Sequence, residues 1–83
     1  MYVGVIHRIS DPEAFERAER EAVEAGLPEG VGLPVHAVTP DHSMAICIWE
    51  APSVDAVRDL VESAVGPYSE NEYYEVNLQS ADV

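Results

Sequence analysis

The segment 43–50, SMAICIWE, restricts the possible folds more than any other part of the chain. It is apolar at both parities, with Met44, Ile46 and Ile48 on one side and Ala45, Cys47 and Trp49 on the other. Side chains alternate across a strand, so a strand with this pattern needs cover on both faces. It therefore belongs inside a sheet, with neighbours on both edges and something packed above and below.

The flanking segments supply the rest of such a sheet. Residues 2–9, YVGVIHRI, read as a β-branched strand with Val3, Val5, His7 and Ile9 on one face. Ser10-Asp11-Pro12-Glu13 is a helix start. Either Ser10 caps it with Glu13 closing a capping box, or Asp11 caps it with Pro12 at the first helical position. The helix runs to about Ala25, with Phe15, Ala18, Ala22 and Ala25 on one face, and Gly26 ends it. Residues 33–39 form a second strand, which Pro34 confines to an edge or to a late start. Pro40-Asp41-His42 makes a turn. Ala51-Pro52-Ser53 opens a second helix with Val54, Val57, Leu60, Val61 and Ala64 as its stripe, stopped by Gly66-Pro67. Residues 72–79 read as the last strand, with Tyr74, Val76 and Leu78 on its apolar face and Tyr73, Glu75, Asn77 and Gln79 opposite. Residues 80–83 are expected to fray.

The order β-α-β-β-α-β is that of the split βαβ motif. It predicts one α+β, ferredoxin-like domain over residues 1–83: a four-stranded antiparallel sheet with two helices on one face. The second face is then bare, and central strands do not expose apolar side chains to water without cost. A homodimer closed through that face, a dimeric α/β-barrel-like assembly, is the expected remedy. It also suits an 83-residue chain, whose own core is small.

Charge excludes some partners. Sixteen acidic residues face four arginines, with no lysine, for a net charge of -12. Nucleic acid and anionic membrane surfaces both call for a basic footprint, so neither is expected as a partner. The acids are spread along the chain, as in proteins adapted to a salty cytoplasm where self-repulsion is screened. One cysteine allows no internal disulfide, no apolar run reaches membrane-spanning length, and no basic-then-apolar leader opens the sequence. A cytoplasmic location is expected.

The first strand, Val35-His36-Ala37-Val38-Thr39-Pro40-Asp41, Cys47-Ile48-Trp49-Glu50-Ala51-Pro52 and the helix from Val54 to Ala64 together resemble the DUF4242 family of small bacterial and archaeal proteins. The resemblance covers most of the chain and is most specific around Cys47. It implies ferredoxin-like subunits paired like the dimeric α/β-barrel proteins, and for some members nickel binding. It implies metal ligands on the first and third strands, here His7 and Cys47.

The residues themselves offer a related but broader set. The first and third strands are expected to be neighbours, which lets His7 and Cys47 approach each other on the face without helices. His36 is a further candidate, and Glu75 or Tyr73 of the last strand lies beside the first. Imidazole, thiolate and carboxylate make a mixed site suited to nickel, zinc or copper. The candidate metal ligands are thus His7, His36, Cys47 and Glu75, although no CxxC, HxH or HExxH spacing is present. Each also has an ordinary role: Cys47 as a small core residue, the histidines as satisfied structural groups, and His42 as exposed turn. Trp49 and Tyr73 are candidates to line a pocket for a small apolar ligand, and equally suit core packing. Sixteen acids give no means of selecting a general acid or base, and neither a phosphate loop nor a Ser-His-Asp pattern is present. Three functions fit: a non-catalytic divalent-metal-binding protein, a ligand-sequestering homodimer with an apolar cavity, and a cofactor-free oxygenase or isomerase of the dimeric α/β-barrel type.

Overall fold

The computed structural model describes residues 1–79, so the expected fraying at 80–83 lies outside the described residues. The elements run β1 (Tyr2–Ile9), α1 (Pro12–Glu24), β2 (Gly32–Val38), β3 (Met44–Glu50), α2 (Val54–Val65), a single 3-10 turn (Gly66–Tyr68) and β4 (Ser69–Val76). The sheet order is β2-β3-β1-β4, antiparallel throughout, with both helices on one face. This is the ferredoxin-like arrangement. β3 is internal, as its two-sided apolar pattern requires, and β2 with its Pro34 is an edge.

Local chemistry sets the boundaries. Of the two possible caps of α1, Asp11 is the one used: its Oδ1 accepts from the Ala14 amide, and Pro12 opens the helix. Ser10 instead donates its hydroxyl to the Tyr68 carbonyl. Ser53 caps α2 by accepting from the Ala56 amide. Gly26, at φ 96°, takes the left-handed conformation that ends α1.

The core lies between sheet and helices. Phe15 of α1 and Val57, Val61 and Val65 of α2 pack on Val3, Val5, Ala45, Cys47 and Trp49. Among the described residues, His7 is the one large polar side chain buried with them, 2% exposed.

Two expectations about faces are corrected here. His7 and Cys47 lie under the helices, not on the bare face. Alternation fixed which residues travel together but not which set the helices cover. The helices cover the face that carries Val3, Val5, Ala45, Cys47 and Trp49, because Phe15 and the α2 valines pack there. The last strand begins at Ser69, three residues earlier than expected, and ends at Val76. All eight residues of β1 find partners there, from Ile9 opposite Ser69 to Tyr2 opposite Val76. In that register Tyr73 turns toward the core, while Tyr74 points outward, half exposed. Leu78, expected on an apolar strand face, lies beyond the strand and is exposed.

The face without helices keeps exposed apolar groups. Val35 and Ile46 are 43% and 49% exposed, alongside Tyr74. Ile48 stands opposite Val35, and Ile46 opposite Ala37.

Candidate metal centre

His36 is opposite Cys47 in the β2–β3 ladder. Both side chains point to the helix-covered face, and His36 Nδ1 lies 3.0 Å from Cys47 Sγ. On its other side His36 Nε2 lies 2.8 Å from Glu19 Oε1 of α1. One ligand atom from each of Glu19, His36 and Cys47 can be chosen so that all three lie within 4.8 Å of one another. Three elements thus deliver a carboxylate, an imidazole and a thiol to one point. The cluster is graded in depth. Cys47 is buried, whereas the side chains of Glu19 and His36 are 22% and 31% exposed.

Burial and the nearby Glu19 carboxylate push the Cys47 thiol up to about 12, so it keeps its proton. Its sulfur lies against His36 Nδ1, and His36 Nε2 lies against the Glu19 carboxylate. Burial raises Glu19 above its ordinary value and His36 pulls it back. A divalent ion entering the cluster would displace the thiol proton and receive three ligands of the kind that nickel, zinc and copper accept. The set is therefore able to coordinate a divalent metal.

A cavity of about 250 Å³ opens beside the cluster. Glu19 and His36 form part of its wall, together with Ile9, Phe15, Arg20 and Val38; Cys47 does not line it. This separation argues against Cys47 as a nucleophile. Cys47, His36 and Glu19 are connected in the manner of a cysteine-nucleophile triad. A nucleophile, however, needs a lowered thiol pKa and access to substrate. Cys47 has a raised pKa and is buried behind the imidazole.

The other sequence candidates have different surroundings. His7 Nδ1 is 2.6 Å from Asn71 Oδ1. Asn71 Nδ2 donates to Glu62 Oε2, which leaves Oδ1 to accept the Nδ1 proton of His7. The His7 ring also meets Phe15 edge-on, with centroids 5.2 Å apart. Glu75 stands opposite Val3 on β4, exposed and separated from β3 by β1. The structure thus brings together His36 and Cys47, and neither His7 nor Glu75 joins their cluster. Tyr73 donates its hydroxyl to Glu62 and carries the Arg58 guanidinium over its ring, 5.1 Å from the centroid. Trp49 is 6% exposed beside a void of about 20 Å³, room for one water. Its Nε1–H has no partner among the described residues.

Glu19 was hidden among sixteen acids. Its signal was position: it follows Phe15 by four residues, between Ala18 and Ala22, inside the arc that α1 turns to the sheet. A carboxylate on the inward side of a helix needs a partner.

No protein-family profile matches the chain, and no curated protein does. Among solved structures, the crystal structure of SCO4226 from Streptomyces coelicolor A3(2) is similar at a TM-score of 0.70 and 23% identity. The likeness covers 96% of this chain and 100% of that one. At this identity it speaks for the fold. No helix among the described residues is long and apolar enough to cross a membrane.

Proposed function

We propose that this protein binds one divalent transition-metal ion per chain, as a storage or delivery protein rather than a catalyst. The observation that carries the reading is the convergence of Glu19, His36 and Cys47 from α1, β2 and β3. The resemblance to DUF4242 makes nickel the first ion to test, with zinc and copper following from the same donor set. The pairing of His7 with Cys47 that the resemblance implies gives way in this proposal to His36 with Cys47, because His7 is committed to Asn71.

We further propose that the chain acts as a homodimer closed through the bare sheet face. Val35, Ile46 and Tyr74, exposed apolar groups on that face, support this, since apolar surface in water favours association. Ile46→Asp is expected to shift sedimentation from dimer to monomer. An unchanged sedimentation coefficient would remove the dimer from the proposal.

The metal reading is tested by titrating the reduced protein with nickel, reading heat and the thiolate-to-metal absorption band. One ion per chain is expected, with the band lost in Cys47→Ser and binding much weakened in His36→Ala. Binding that persists with the same band in Cys47→Ser would overturn the assignment.

A further inference from the structure

The metal cluster and its cavity carry a second ligand between them. Three protein ligands do not fill the shell of a nickel or zinc ion, which takes four or more. Cys47 closes the site from below and has no part in the cavity wall, whereas Glu19 and His36 do. The vacant side of an ion held by these three residues therefore meets the cavity, whose volume of about 250 Å³ suits a small metabolite.

The wall limits the chemistry of that metabolite. Of the four arginines, Arg8 pairs with Glu72, Arg17 with Glu13 and Arg58 with Asp55. Among the described residues, Arg20 has no carboxylate within ion-pair distance. Arg20 is exposed and lines the cavity, so its guanidinium faces both solvent and the cavity's contents. Guanidinium is well matched to a carboxylate. Ile9, Phe15 and Val38 give the same cavity an apolar wall. The ion and Arg20 together ask for a ligand with a metal-binding nitrogen or oxygen close to a carboxylate, and the apolar wall asks for a hydrocarbon side chain.

We infer that the cavity binds a free α-amino acid with an apolar side chain, its amine and carboxylate chelating the bound metal while Arg20 holds the carboxylate. Binding is ordered. Without metal, Glu16 and Glu19 outnumber Arg20 in the wall and repel a carboxylate; the ion reverses that balance. The inference rests on the metal reading, and the two can fail separately.

The test uses the full chain, first titrated with nickel alone and then, once loaded, with L-leucine, glycine and acetate. L-leucine is expected to bind the nickel-loaded protein at one per metal and to shift the ligand-field bands without removing the ion. The metal-free protein should not bind it. Glycine should bind several-fold more weakly for want of the side chain, and acetate, a single-donor ligand, weaker still. Arg20→Ala should weaken L-leucine about tenfold and leave nickel affinity unchanged. If nickel alone does not bind, both readings fall. If nickel binds but L-leucine strips it, leaves the spectrum unmoved, or binds Arg20→Ala equally well, only the amino-acid site falls.

Discussion

His7 and His36 both stand on the helix-covered face of the sheet, on strands separated by β3, and each is connected to a glutamate. His7 reaches Glu62 through Asn71, and His36 reaches Glu19 directly. The difference lies in what occupies the second side of the network. His7 is packed against Phe15, and burial lowers its pKa below the ordinary 6.5 more than Asn71 raises it, which favours the neutral ring. His36 has a thiol on one nitrogen and borders a cavity. Burial alone does not make a functional histidine. What distinguishes His36 is that a cation could replace the thiol proton of Cys47 beside it, and that the route to solvent is open.

The sharpest way to break this comparison is to remove each histidine in turn. His7→Ala deletes a fully buried ring and leaves the Asn71 carbonyl with the Ser69 hydroxyl as its remaining donor, at an expected cost of about 3 kcal/mol in urea unfolding. The nickel affinity of the folded fraction should be unaffected; an equal loss of metal would join the two regions into one site. Next in size, Cys47→Ser should weaken nickel binding about 100-fold, about 2.7 kcal/mol, with little change in the urea midpoint. A large stability loss without a metal effect would make Cys47 a core residue only.

Acidity provides a third, smaller contrast. The folded chain holds the His7 pKa below its ordinary 6.5, so between that lowered pKa and 6.5 the unfolded chain binds more protons. Stability is therefore expected to fall as pH drops from about 7.5 to about 5.5. Glu19, raised by burial, acts in the opposite sense, losing stability as pH rises through its own window. The His7 share is the part of the decline that disappears in His7→Asn, measured by urea melts at both pH values. A decline of equal size in that variant would remove the neutral-His7 account. Tyr73→Phe is the smallest test: losing the hydrogen bond to Glu62 should cost about 1 kcal/mol or less, with metal binding intact.

Element order, the internal position of β3, the edge position of β2 and the α1 start were all legible from patterns of apolar residues, Pro and capping groups. The covered face was not. Val3, Val5 and His7 alternate with Tyr2, Gly4 and Ile6, and both sets are apolar enough to be core. Parity cannot say which set meets the helices, because that depends on packing between elements distant in sequence. His36 and Cys47 were visible as residue types, but their contact depends on the β2–β3 register, which is irregular between Gly32 and Val35. Glu19 belongs to a helix, and no strand pattern could bring it to them.

The irregular edge strand has a consequence for how strongly a bound ion would be felt. β2 is hydrogen-bonded on one side only, so its backbone amides should exchange with solvent more readily than those of β3. An ion held by Glu19, His36 and Cys47 would fasten this edge strand to both its sheet neighbour and the first helix, through His36 and Cys47, 11 positions apart. Deuterium uptake should then slow along β2 far more than along β4, the opposite edge, which carries none of the three ligands.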